Sequence, residues 1–170
     1  MIEEGEQQAL ALARHVKENR DVLKIGRVYS SDLPRAAQTA RPLAERLELP
    51  VTYLPAFREA NNGKLAGMDN ELAKARYPGV FWSSLGWEEP YPDGESPKEF
   101  YERIRGAWEE LTRTLDGNGE NAVLVTHGGV IQVILSLVNG LPFSNKEKQR
   151  SVPHAELITL TRKSGEWHVG

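Results

Sequence analysis

Apolar positions along the chain alternate between two periods. From Glu6 to Lys17, Ala9, Leu10, Ala13 and Val16 recur at three- and four-residue intervals, which lays one apolar face along a helix. Arg27-Val28-Tyr29-Ser30-Ser31 reads as a short strand, and the Ser31-Asp32 pair is a candidate cap for the next helix. Leu33 to Leu47 predicts that second helix, with Pro34 in its first turn, where a missing N–H costs little, and with Ala36, Ala37, Ala40, Leu43, Ala44 and Leu47 on its inner face. Leu49-Pro50 ends that helix, and Val51-Thr52-Tyr53-Leu54 resumes as a strand leading to Phe57-Arg58-Glu59. Ser96-Pro97 opens a long helix to about Leu115, striped by Phe100, Ile104, Trp108, Leu111 and Leu115, and Asp116 to Gly119 predicts a turn. Ala122 to Thr126 reads as a buried central strand, and a helix to about Val138 starts just past His127-Gly128-Gly129. A final strand is expected from Ala155 to Thr161, with Lys163-Ser164-Gly165-Glu166 turning it into a hairpin with Trp167-His168-Val169.

Between Glu59 and Ser96 the periodicity lapses. Asn61, Asn62, Gly63 and Gly67 are turn formers, and a short helix fits Glu71 to Arg76. Tyr77 to Glu95 carries Phe81, Trp82, Trp87 and Tyr91, which suits either a lid over a crevice or a surface loop with its own small aromatic core. The order of elements predicts an α/β fold, a three-layer helix/sheet/helix arrangement with a mainly parallel sheet, and residues 1–170 are expected to form one domain.

Composition narrows the function without naming it. A net charge of −3 with 26% charged residues gives no field for nucleic acid, so an anion site has to be local. The absence of cysteine removes disulfides, thiolate catalysis and cysteine metal sites. No apolar run approaches the ~20 residues of a membrane span, and Met1-Ile2-Glu3-Glu4 is acidic where a signal peptide is basic, so no membrane partner and a cytoplasmic location are the default expectations.

Three polar groups lie just past three strands: Arg35, Glu59 and His127. In an open α/β sheet the carboxyl ends of the strands face a crevice, and the following helix offers unpaired N–H groups to an anion. Gly128 and Gly129 allow the backbone to come close there. A guanidinium fork grips phosphate, a carboxyl can protonate a leaving oxygen, and an imidazole can donate to a transferring phosphoryl group, so the combination points to phosphate-ester chemistry. The expected partner is a small phosphorylated substrate or inorganic phosphate.

These stretches resemble the histidine phosphatase superfamily, the branch containing phosphoglycerate mutase. Tyr29-Ser30-Ser31-Asp32-Leu33-Pro34-Arg35-Ala36-Ala37-Gln38-Thr39-Ala40 is similar to its S-S-D-L-x-R-A-x-Q-T-A segment, and Val125-Thr126-His127-Gly128-Gly129 to its second histidine motif. Phe57-Arg58-Glu59 with Gly63 and Gly67 resembles its L-x-E-x-x-x-G-x-W-x-G element, Pro92-Asp93-Gly94-Glu95-Ser96 its P-x-G-E-S segment, and Gly5 with Gln8-Ala9 its first helix. The resemblance implies transfer of a phosphoryl group to a histidine without metal or other cofactor. It assigns Arg35 to clamping phosphate oxygens, Glu59 to protonating the leaving group, His127 to stabilising the transferring group, and Gly128 to donating a backbone N–H. Leu65 and Ala66 stand where the family often has an aromatic and an acid.

The family's first central strand, which ends in Arg-His-Gly and carries the nucleophile, has no counterpart in this sequence. Of the four histidines, His15 sits mid-helix with Val16 after it, His154 precedes the last strand, and His168 lies on the terminal edge. A phosphatase domain with little turnover as this chain is therefore expected, with a non-catalytic phosphate-ester binding or assembly module as the alternative. The empty strand position is to be accounted for by a longer gene product, by pairing between copies such as a homodimer, or by a sheet closed up around the loss. The short run between Glu59 and Pro92 favours phosphatase over mutase.

Overall fold

A computed structural model describes residues 3–153 and 156–170; the expectations placed on His154 and Ala155 lie outside the described residues. The chain forms α1 (Glu3–Glu18), the single turn α2 (Arg20–Leu23), β1 (Ile25–Ser30), α3 (Pro34–Leu47), β2 (Val51–Tyr53), α4 (Asn70–Arg76), α5 (Pro97–Asn118), β3 (Asn121–Val125), α6 (Gly128–Val138), β4 (Leu160–Lys163) and β5 (Glu166–Val169). Three short 3-10 turns lie at Pro55–Phe57, Gly63–Leu65 and Trp82–Ser84. The main sheet is parallel with strand order β2-β1-β3, as the α/β pattern predicts, and β4 and β5 form a separate antiparallel ribbon.

Alternation along β1 sorts the core into two layers. Val28 packs with Ala13, Val16, Leu43 and Leu47 of α1 and α3, whereas its neighbour Tyr29 packs on the other face with Phe100 and Ile104 of α5 and Val130 of α6. β3 repeats the rule, with Val123 in the first layer and Ala122 and Leu124 in the second. The helices hold their sites by ordinary capping chemistry. Ser96 Oγ accepts the Glu99 N–H and the Glu99 carboxylate accepts the Ser96 N–H, which starts α5 sharply, and Gly119 closes it at φ +65°.

Several boundaries differ from those predicted. Ala122 to Val125 are half-buried, and β3 is an edge strand of the main sheet, with β1 in the middle, because β3 hydrogen-bonds only to β1 among the described residues. Leu157 packs against the α1/α3 layer and Leu160 against the α5/α6 layer, so the run into the ribbon flanks both faces without joining the ladder. Glu156 to Thr159 lie outside any strand and the ribbon starts at Leu160; its turn at Ser164 and Gly165 has φ of +52° and +81°, as a tight hairpin requires. Asp116 to Asn118 are helical, since Gly119 alone supplies the stop. Ser31-Asp32 is not the cap of α3: Leu33 occupies that position with no side-chain cap bond, because Asp32 is paired to Arg58 and the Ser31 hydroxyl lies at hydrogen-bond distance from His127. The aromatic loop packs neither on itself alone nor free of the body. Trp82 contacts Phe100 edge-on at 5.4 Å and Trp87 meets Tyr101 at 5.9 Å, which fastens the loop to α5.

Candidate active site

The strand register brings the segments that carry the three polar groups to one edge of the sheet. Ser30 pairs with Tyr53 on one side and with Val125 on the other, so the chain leaves β1, β2 and β3 at one level on one sheet edge. The ladder runs slightly further, with Leu54 N–H donating to Ser30 O and Ser31 N–H to Val125 O. Arg35 comes next in the first turn of α3, Glu59 comes after the turn Pro55–Phe57, and His127 is the residue that caps α6.

Glu59 is fixed from both ends. Phe57 is buried two residues earlier, and Thr126 Oγ donates to Phe57 O at 2.8 Å, tying this segment to the end of β3. The carboxylate accepts the Gly129 N–H on Oε2 at 3.0 Å and the Ala60 N–H on Oε1 at 3.2 Å. Position 129 has to be glycine for this approach, since a Cβ there would fall 2.3 Å from Glu59 Oε1. One glycine of the pair thus serves the carboxylate, while nothing lies within 4 Å of a Cβ built on Gly128.

His127 is 8% exposed, and its Nε2 lies 2.8 Å from Ser31 Oγ. Burial pushes the imidazole below its ordinary value; the charge of Glu59 opposes this, and those of Arg35 and Arg103 add to it. Glu59 and Arg35 therefore both act electrically on His127, although they stand far from it in sequence. Arg35 is exposed, and among the described residues no carboxylate pairs with its guanidinium. Burial, and then the Glu59 charge, raise the Tyr91 phenol, so this buried residue of the aromatic loop feels the carboxylate.

Sequence reasoning missed the clamp behind Glu59. Arg103 of α5 donates from Nη1 to Ala56 O at 2.7 Å and Arg58 O at 3.0 Å, from Nη2 to Glu59 O at 3.4 Å, and through Nε and Nη2 to both oxygens of Glu95 at 2.9 and 2.8 Å. All the N–H groups of the fork are thereby engaged, so it fixes backbone and is not available to an anion. Glu95 Oε1 also accepts the Asn61 N–H at 2.9 Å, and Gly63 and Gly94 allow the loops around Asn61 and Pro92 to interlock. The one available signal was the short step of 8 residues from Glu95 to an arginine in α5, and Arg103 is hidden there among charged surface positions. Asp32 and Arg58 form a bidentate pair at 2.6 and 2.5 Å on the exposed rim beside Arg35 and Glu59. No group of His, Asp and Glu able to hold a metal occurs among the described residues.

A family model, the histidine phosphatase superfamily (branch 1), matches residues 1–170. The chain belongs to the histidine phosphatase superfamily. Within it, the chain is 31% identical over 175 residues to a glucosyl-3-phosphoglycerate phosphatase of Mycolicibacterium vanbaalenii, covering 95% of this chain and 74% of the relative. It is 35% identical over 137 residues to a metal-independent phosphoserine phosphatase of Arabidopsis thaliana, covering 78% of this chain and 55% of that one. Among solved structures it is similar to a mycobacterial glucosyl-3-phosphoglycerate phosphatase in complex with inorganic phosphate, with a TM-score of 0.77 and 28% identity over 100% of this chain and 85% of that chain. The relatives include both phosphatases and probable phosphoglycerate mutases, the latter exemplified by a protein of Erwinia tasmaniensis at 28% identity. No described helix is long and apolar enough to cross a membrane.

Proposed function

We propose that residues 1–170 form one phosphatase domain that takes small phosphate monoesters at the edge where β1, β2 and β3 end. The observation that carries this is the fastening of Glu59 to the N–H of Gly129, two residues past His127, with Arg35 in the first turn of α3 at the same sheet edge and its charge acting on His127. Arg35 would grip phosphate oxygens with a fork that has no carboxylate partner among the described residues, and the α6 N-terminus, including Gly128, would add N–H groups toward the same anion. Glu59 would give its proton to the leaving oxygen, and His127 would donate to the phosphoryl group as charge gathers on it.

Among the described histidines, only His127 stands at this edge. His15 is in α1, paired with Asn19, and His168 lies on β5. The family resemblance gives His127 the transferring group and places the nucleophile on a strand ahead of α1, so we expect residues 1–170 by themselves to bind phosphate esters with little turnover. Two measurements test the assignment. Inorganic phosphate should bind the chain, and Arg35→Ala should abolish that binding. Adding an upstream strand ending in Arg-His-Gly should produce hydrolysis of small phosphate esters, which Glu59→Gln should slow by about 10²- to 10⁴-fold. Absence of phosphate binding, or no hydrolysis of any ester in a broad panel by the extended chain, would overturn the proposal. Binding without hydrolysis in the extended chain would favour the non-catalytic binding module.

A further inference from the structure

The residue just past β1 carries a hydroxyl that the proposed chemistry does not use. Ser31 is fully buried, and its Oγ lies 2.8 Å from His127 Nε2. A serine hydroxyl has one proton to give and two lone pairs to receive with. One lone pair accepts the Leu33 N–H at 3.3 Å. The backbone of Ser31 is engaged elsewhere, its N–H with Val125 O and its carbonyl with the Ser30 hydroxyl. Among the described residues no carbonyl or carboxylate accepts from Ser31 Oγ. With solvent excluded, the hydroxyl proton either goes to His127 Nε2 or is left without a partner, and buried polar groups avoid the second state. A ring nitrogen that accepts carries no proton, so in neutral imidazole the single proton sits on the other one, Nδ1. Burial and the charges of Arg35 and Arg103 favour the neutral ring over the opposing charge of Glu59.

We propose that Ser31 is a positioning residue that fixes His127 as its Nδ1–H tautomer, so that Nδ1–H is the donor presented to a bound phosphoryl oxygen. The second half rests on the phosphoryl site of the proposed function; the first half stands on the Ser31–His127 contact alone. The two residues come just after neighbouring strands whose ladder continues through Ser31 N–H to Val125 O, so the pair is held by the sheet itself. A donor whose tautomer is set in advance needs no proton rearrangement when the anion arrives, which is how preorganised sites act on developing charge.

The test is nitrogen-15 NMR on the full chain with labelled histidine, where only four imidazoles contribute and His127→Gln identifies the relevant signals. In the free protein, Nδ1 of His127 should carry the proton and Nε2 should not. Added inorganic phosphate should perturb Nδ1 more strongly than Nε2. Ser31→Ala should release the ring into a mixture of tautomers and weaken phosphate binding by roughly two- to tenfold, the effect of one lost hydrogen bond. Ser31→Thr, which keeps a hydroxyl, should restore both readouts, whereas a purely packing role would not make the tautomer follow the hydroxyl. A proton on Nε2 in the unmutated chain overturns the proposal even if Ser31→Ala fails to fold, and so does an unchanged tautomer in a folded Ser31→Ala. If Nδ1 carries the proton but phosphate does not bind, the phosphoryl site fails and the role of Ser31 in setting the tautomer stands.

Discussion

Replacing Gly129 with alanine separates the helix from the carboxylate that leans on it. A Cβ at 129 falls 2.3 Å from Glu59 Oε1, 3.1 Å from Cδ and 3.2 Å from Oε2. The carboxylate is the free end of a flexible side chain, so it swings away and α6 keeps its place. Glu59 Oε2 then loses the Gly129 N–H it accepts at 3.0 Å. A hydrogen bond to a charged group is worth about 1.5–3 kcal/mol, and the half-exposed setting of Glu59 reduces the loss to about 1–2 kcal/mol because water replaces part of it. Alanine returns about 0.5–1 kcal/mol through its better helix propensity. The net result in the wild-type background is a destabilisation of about 0–1.5 kcal/mol, centred near 0.75 kcal/mol. In a Glu59→Ala background there is no carboxylate to displace, and Gly129→Ala should stabilise by about 0.5–1 kcal/mol. The sign of the effect therefore reverses with the residue at 59. Urea unfolding of the four proteins of the cycle measures this directly, and in heat the difference amounts to about 2–4 °C per kcal/mol for a chain of this size. Equal stabilisation by Gly129→Ala in both backgrounds would refute the contact.

Arg103→Gln removes the donors that hold Ala56 O, Arg58 O and Glu59 O and leaves Glu95 without its cation. With side-chain exposures of 26% and 16% the loss should be about 2–3 kcal/mol, less than for a fully enclosed pair. Burial alone would raise the Glu95 carboxyl, but the Arg103 hydrogen bonds, the Asn61 N–H and the Arg103 charge outweigh it and hold the group below its ordinary range. Its contribution is thus complete above the ordinary carboxylate range and disappears as acid protonates it, so Tm of the wild type should fall faster below about pH 4.5 than Tm of Arg103→Gln. Gly63→Ala combines φ +54° with a Cβ 2.0 Å from Pro92 O, and Lys64 N–H bonds that same carbonyl, so backbone meets backbone with no side chain to yield. A cost of at least about 3 kcal/mol is expected, against about 1–2 kcal/mol for Gly67→Ala, where φ is +78° but nothing lies within 4 Å; comparable melting points for the two would contradict the interlocked loops.

The chain's linear pattern determined more of the fold than of the site's support. The apolar periods of α1, α3 and α5 and the Ser96-Pro97 start are local properties, decided by residues three or four apart, and the structure has them. The strand ends beside Arg35, Glu59 and His127 were legible for the same reason: each comes after a short apolar run that stops at a polar residue. The partners of those groups were not legible. Ser31 looks like a helix cap until β1 and β3 are placed side by side, and only then does its hydroxyl lie at His127. Arg103 looks like one more charge on a long helix until α5 is laid across the loop before Glu59. Gly129 looks like room for an anion until the loop bearing Glu59 is folded onto α6, where the space is filled by a carboxylate. Even the burial of β3 depended on how many strands flank it, which its own apolar residues do not encode. Secondary structure arises from neighbours in sequence, whereas these contacts join residues 44 to 96 positions apart, and their energies exist only after the chain has closed the loops between them.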